Sequence, residues 1–346
     1  MDPDALHDQA RQVLPRGVYD YYAGGAEAEI TLVESEPAWR RWRLRPRMLR
    51  DVSTVSTATT LLGTQVSMPI GVAPWALQGM AHPEGEPATA RGAADAGTLM
   101  TVPTTATVPL REVARASEGP KWFQLYRVQD SAYTDDLVLR AADAGYLALV
   151  MTVDLPLLGR RLRDLANEFV LPEGIELANH PPPDAFRERS MHGALGTIAS
   201  TWTFDDVSHF ASLTPMPVVV KGVLRGDDAQ GCVDAGAAAA WVSTHGGRQA
   251  DPVVASAAAL SEVVEAVGED VEVYVDGGVR RGSDVLTALA LGARAVFLGR
   301  PIIWALATGG ADGVRDVLSG LAESLRLTMA LCGVTDPRDV PSDLVV

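Results

Sequence analysis

Val242-Ser243-Thr244-His245-Gly246-Gly247-Arg248-Gln249 is the stretch on which the reading of the chain turns. It follows the apolar run Ala237–Trp241, which has the character of a buried strand, and it runs into glycines suited to a loop. A histidine and an arginine flanking a Gly-Gly hinge therefore stand where a parallel strand opens into its following loop. In a closed α/β barrel that end of the strand is the catalytic face. Histidine exchanges a proton near neutral pH, and arginine grips a carboxylate through two parallel hydrogen bonds. The combination points to an enzyme acting beside a carboxylate. Taken alone, the same residues also fit a capped helix start with an incidental histidine.

The surrounding chain supplies the barrel. Apolar runs at Pro69–Ala73, Leu99–Val102, Trp122–Tyr126, Ala148–Val153, Pro217–Lys221, Ala239–Ser243, Val271–Val275 and Ala295–Leu298 read as strands. Between them lie helical patterns such as Pro87–Ala96, Asp135–Ala144, Asp228–Ala235, Ala255–Val267 and Ser283–Leu291. Eight strands alternating with helices predict an α/β fold, a (β/α)8 TIM barrel over 66–346. Residues 1–65 read as a helical extension packed on it, with helical spacing over Asp4–Leu14. Its segment Trp39–Arg50 carries six arginines, read as a solvated or ion-paired face. One long gap, Leu155–Thr214, separates the fourth and fifth strands. It holds Pro181-Pro182-Pro183 and a helix-like run at Asp205–Leu213, and a loop of that length predicts an active-site lid.

Composition narrows the partners. The 346 residues carry a net charge of −15, which argues against a nucleic-acid or anionic-membrane partner. Only two cysteines occur, Cys232 and Cys332, without metal-ligand spacing, so no metal site is expected and a reducing cytoplasm is. The N-terminus shows no signal peptide pattern, and no apolar run reaches the roughly 18 residues of a membrane span.

The strand ends collect the polar residues. They give Pro74-Trp75-Ala76, Gln124 and Tyr126, Thr152 and Asp154, Lys221, Ser243 through Arg248, Asp276-Gly277-Gly278, and Gly299-Arg300. Parallel strands bring all of these to one mouth. Lys221 is one of only two lysines and ends an apolar run, where a merely structural cation has little reason to sit. Asp276-Gly277-Gly278-Val279-Arg280 and Gly299-Arg300-Pro301 follow the seventh and eighth strands, where barrels often bind a phosphate on glycine amides and arginines.

These motifs, in order, are similar to those of a known family. The chain resembles the FMN-dependent α-hydroxy acid oxidases and dehydrogenases, whose members act on glycolate, lactate or mandelate. The resemblance runs through Tyr19-Asp20-Tyr21-Tyr22-Ala23-Gly24-Gly25-Ala26, Ala81-His82-Pro83-Glu84-Gly85-Glu86, Phe123-Gln124-Leu125-Tyr126 and Thr152-Val153-Asp154-Leu155-Pro156. It continues through Gly159-Arg160-Arg161, Lys221-Gly222, His245-Gly246-Gly247-Arg248-Gln249, Asp276–Gly282 and Gly299-Arg300-Pro301. It implies FMN as cofactor and oxidation of a 2-hydroxy acid to the 2-oxo acid. Oxygen is the expected acceptor, giving hydrogen peroxide; a dehydrogenase using another acceptor, or a specialised member with an unusual substrate, is the alternative. It also implies a homotetramer. By the same resemblance His245 is the base and Asp154 stabilises its charged form. Arg161 and Arg248 hold the substrate carboxylate, with Tyr21 and Tyr126 hydrogen-bonding around it. Lys221 faces the flavin's pyrimidine edge, and Gln124, Thr152 and Ser243 contact ring and ribityl. Pro74, Trp75 and Ala76 run beside the ring, while Asp276, Gly277, Gly278, Val279, Arg280, Gly299 and Arg300 hold the phosphate.

Some positions depart from that pattern. Thr244 replaces the asparagine that usually precedes the histidine, Pro103 replaces a serine, and Trp75 replaces a small or hydroxyl residue. Thr105 stands where glycolate-type members often place an aromatic, which implies room for a bulkier acid such as a mandelate.

Overall fold

The computed structural model describes residues 3–181, 199–269 and 271–346. The extension contains α1 (Pro3–Val13), α2 (Arg16–Ala23) and α3 (Ile30–Trp39). On α1, Leu6 and Ala10 lie one turn apart and are buried. The start of α3 is capped from a distance. The amides of Ile30 and Thr31 donate to the Asp251 carboxylate at 3.1 and 2.7 Å, so the loop after the histidine run anchors the extension. In the arginine-rich arm, Arg40 pairs with Glu36 and Arg47 with Asp343 at 2.6 Å. An ion-paired arm is what an acidic molecule favours.

A hairpin of β1 (Thr59–Leu61) and β2 (Thr64–Val66) precedes the barrel. The barrel strands are β3 (Ile70–Val72), β4 (Met100–Val102), β5 (Lys121–Leu125), β6 (Leu149–Thr152), β7 (Val218–Val223), β8 (Ala239–Val242), β9 (Glu272–Asp276) and β10 (Ala295–Leu298). They form a closed parallel barrel in chain order, sealed by pairing of β10 with β3. Its helices are α4 (Gly85–Asp95), α5 (Leu110–Arg115), α6 (Ser131–Asp143), α7 (Leu162–Ala166), α8 (Phe204–Leu213), α9 (Gly226–Asp234), α10 (Ser256–Val267), α11 (Gly282–Ala290) and α12 (Arg300–Cys332). α12 is two helical pieces meeting at Gly310, whose φ of 57° breaks the ladder.

The barrel interior is filled by contrast in size. Trp122, Trp241, Tyr274 and Phe297 are buried there beside Ala148, Ala239 and Ala295. At Gly71 even a methyl group would lie 2.5 Å from the Phe297 ring. Leu61 and Val66 of the hairpin join this inner core, and the Leu62 amide donates to Glu272 at the start of β9. The hairpin thus plugs the end opposite the mouth. Every strand read from the sequence is present to within about two residues; the hairpin and helices α2, α3, α5, α7 and α12 are additions. Of the long loop, Pro182, Pro183 and the chain through 198 lie outside the described residues.

Candidate active site

β8 ends at Val242, and the chain then takes three left-handed residues, His245, Gly246 and Gly247, with φ of 53°, 65° and 73°. Only the first carries a side chain, a conformation that costs on the order of 1–3 kcal/mol and is characteristic of functional positions. His245 Nδ1 lies 2.8 Å from Asp154 Oδ1, and Nε2 lies 3.3 Å from the Tyr126 hydroxyl. A carboxylate only accepts, so Nδ1 carries the proton and Nε2 presents its lone pair to the cleft. Burial pulls the His245 pKa below its ordinary value, against the attraction of Asp154, so the ring is neutral and basic at pH 7. For Asp154 burial works against the charge, but the attraction and hydrogen bond of His245, with Lys221, hold the carboxyl below the usual range. Asp154 can stand so close to β7 because residue 222 is glycine: a Cβ there would sit 2.6 Å from its carboxyl carbon. Burial raises the Tyr126 pKa, which keeps the hydroxyl a donor.

Beside this base lies a cationic corner. Tyr21 stacks on Phe169 with ring centroids 5.1 Å apart. The guanidiniums of Arg161 and Arg248 lie 6.0 and 4.8 Å from the Tyr21 ring. Arg248 Nη1 donates to the carbonyls of Tyr21 and Gly24 at 2.5 and 3.0 Å, which fixes it at the C-terminal end of α2. Arg161 Nε is buried with no hydrogen-bond partner among the described residues. Burial, then repulsion from Arg161, pushes the Arg248 pKa down to about 10. Among the described residues neither arginine forms an ion pair, so the corner is built for an anion.

The cleft, open to solvent at its mouth, offers about 1000 Å³ of empty space, which suits a sizeable cofactor with a small substrate. Every candidate residue lines it except Asp154 and Ser243. Asp154 stands behind His245. Ser243, read as a flavin contact, is fully buried behind Lys221: it accepts from Lys221 Nζ at 2.7 Å and donates to Asp276 at 2.8 Å. Asp276, read as part of the phosphate loop, turns its carboxylate to Lys221 at 3.1 Å and to Trp241 Nε1 at 3.0 Å. Arg300 donates to the carbonyls of Tyr22, Gly246 and Gly24 at 3.1, 3.0 and 2.9 Å. Trp75 lies 5.5 and 5.4 Å from the Arg248 and Arg300 guanidiniums, a spacing for cation–π attraction to both. Leu155, Phe297 and Leu298 also line the cleft. Sequence reading passes over them because apolar residues at strand ends look like core.

The donor set fits a flavin nucleotide. Gln124 Nε2 and Thr152 Oγ1 are buried at the cleft wall with no partner among the described residues, matching the polar edge of an isoalloxazine. Lys221 lines the cleft with them, and the Gly277-Gly278 turn with Arg280, also on its wall, would receive the phosphate. A (β/α)8 barrel with this cleft and a His–Asp pair at its mouth suits a flavin-dependent oxidoreductase. The chain belongs to the family described as FMN-dependent dehydrogenase, whose model matches residues 10–346, and FMN is its cofactor. It is 48% identical to glycolate oxidase 1 of Oryza sativa subsp. indica over 96% of this chain and 91% of that one. It is 46% identical to the L-lactate oxidase of Nostoc sp., over 97% of this chain and 95% of that one. Among solved structures it is similar to mandelate oxidase with (S)-4-hydroxymandelic acid, at a TM-score of 0.95 and 44% identity over 99% of this chain and 97% of that one.

Proposed function

We propose that His245 initiates oxidation of a 2-hydroxy acid to its 2-oxo acid in this FMN-dependent oxidase. The observation that carries this is the 2.8 Å His245–Asp154 pair, with Nε2 aimed into a cleft shared with Arg161 and Arg248. FMN, when bound, takes up the hydrogen and electron pair lost from the substrate's α-carbon, and oxygen restores it with release of hydrogen peroxide. The arginines and Tyr21 fix the carboxylate, which orients the neighbouring hydroxyl toward Nε2. His245 accepts the hydroxyl proton there, and Asp154 offsets the charge gained. Tyr126 donates its hydrogen bond at the same point, and Lys221 keeps positive charge on the cofactor wall.

The substrate is a bulky or aromatic acid of the mandelate kind. Thr105 supports this, because a short side chain lines the cleft at that point, and so does the likeness to mandelate oxidase. The loop over 155–214 acts as a lid; in support, Leu155 and Arg161 from its first part line the cleft. The enzyme works as a cytoplasmic homotetramer. Two buried free cysteines suit a reducing compartment, and no helix among the described residues is long and apolar enough to cross a membrane. Leu157 and Val170, 74% and 61% exposed, offer apolar surface for subunit contact.

Incubation in air with (S)-mandelate and, separately, L-lactate tests the reaction. The expected products are 2-oxo acid and hydrogen peroxide in equal amounts, faster from mandelate. Absence of 2-oxo acid from every 2-hydroxy acid tried would overturn the proposal. A 2-oxo acid formed only with an artificial acceptor would replace oxygen by another oxidant.

A further inference from the structure

The extension does more than cover the barrel, because α3 lies directly on the turn read as the phosphate seat. Trp39 Nε1 donates to the Gly277 carbonyl at 2.7 Å. A Cβ on Gly278 would fall 2.1 Å from the Ser35 carbonyl oxygen, so backbone meets backbone there. The next residue, Glu36, borders a second pocket of about 690 Å³ of empty space. That pocket shares Gly246, Gly277, Gly278, Arg280 and Arg300 with the cofactor cleft, so the two have a common wall at the end read as the phosphate seat.

Charge there is unevenly distributed. Three arginines, Arg40, Arg280 and Arg300, line the second pocket, and Glu36 is the single carboxylate lining it among the described residues. Glu36 reaches two of them: one oxygen pairs with Arg40 and the other lies 3.8 Å from Arg280 Nε. Its side chain is 27% exposed and that of Arg280 22%, so the pair is only partly screened. Arg300 is held by backbone carbonyls instead.

We propose that Glu36 is a specificity-determining residue of the cofactor site, set against the phosphate. It engages Arg280 as a carboxylate would engage any nearby guanidinium, and the phosphate of FMN must compete with it for that arginine. A phosphate monoester carries about −1.5 to −2 charges at pH 7, so the two anions also repel. Glu36 therefore narrows the margin by which the site prefers FMN to riboflavin, which has no phosphate, and it eases cofactor release. The inference rests on reading Gly277–Arg280 as the phosphate seat.

The test uses flavin-stripped full-length protein titrated with FMN and with riboflavin, following quenching of flavin fluorescence. Glu36→Gln is expected to tighten FMN roughly three- to thirtyfold, as for a partly screened charge pair, and to leave riboflavin within about twofold. Glu36→Ala should shift FMN in the same direction, which separates the charge from the amide's hydrogen bonding. Arg280→Ala should weaken FMN and leave riboflavin unchanged. If Glu36→Gln left FMN unchanged or weakened it while Arg280→Ala still weakened it, Glu36 would be inert or a support for Arg280. The inference would then fall and the phosphate seat would stand. An FMN-to-riboflavin preference untouched by Arg280→Ala would overturn the seat and the inference with it.

Discussion

As the proposed base, His245 rests neutral because burial opposes its charge. Burial depresses its pKa below the ordinary 6.5, and Asp154 only partly restores it. The neutral ring is the working form, so kcat/KM should fall on the acid side through a pKa below 6.5 and stay level from there to neutrality. A pH profile of flavin reduction checks this; an acid limb centred above 7 would contradict it. Asp154→Asn should slow reduction by about 10²-fold or more, since the amide carries no charge to offset the imidazolium and, able to donate as well as accept, no longer fixes the tautomer. Arg248→Ala should instead raise the substrate's apparent Kd by roughly ten- to a hundredfold, the worth of a charge-assisted hydrogen bond. Saturation of the reduction rate reads that constant separately from the limiting rate. At this scale the sequence was informative where a polar residue ends an apolar run, as at Lys221, Gln124 and Thr152. It was less so for Ser243 and Asp276, which also end strands. The Ser243 hydroxyl is engaged by Lys221 and Asp276, and the Asp276 carboxylate by Lys221 and Trp241, pairings from other strands that no local pattern announces. The carbonyls of Tyr21, Tyr22 and Gly24 that hold Arg248 and Arg300 leave no local signal, because the partners lie more than 200 residues apart.

The elements that matter most are the ones carrying loops. Parallel strands were legible because each is a short apolar run bounded by turn residues, and their common direction then placed the mouth. The hairpin was not, since Thr59-Thr60-Leu61 and Thr64-Gln65-Val66 are too short and too polar to stand out. Its burial comes from plugging the barrel, a tertiary effect. α3 shows the same limit: its cap is Asp251, from a distant loop. The seat of α3 on the Gly277-Gly278 turn gives a direct prediction. Gly278→Ala, at a φ of 77° and 2.1 Å from the Ser35 oxygen, should destabilise the fold by about 1–3 kcal/mol and loosen FMN. Thermal unfolding and flavin retention measure both effects. For the loop over 155–214, a substrate analogue should slow hydrogen exchange across residues 155–181. Exchange there that is equally slow with and without analogue would count against a lid.

On the scale of the whole molecule, the barrel brings residues from positions 21 to 301 to one cleft. The net charge of −15 lies on a surface whose interior mouth is cationic, so an anionic acid leaves a repelling exterior for an attracting site. Light scattering of the flavin-loaded protein should give a mass four times that of the chain; a monomer would remove the tetramer. The proposal that His245 is the base is tested most directly by stopped-flow reduction of the bound flavin under nitrogen. Wild type and His245→Ala are compared with the same saturating 2-hydroxy acid. We predict a limiting rate about 10²–10⁴-fold lower in His245→Ala, with substrate binding kept within a few fold by Arg161 and Arg248. Reduction at a near-wild-type rate in His245→Ala would contradict it.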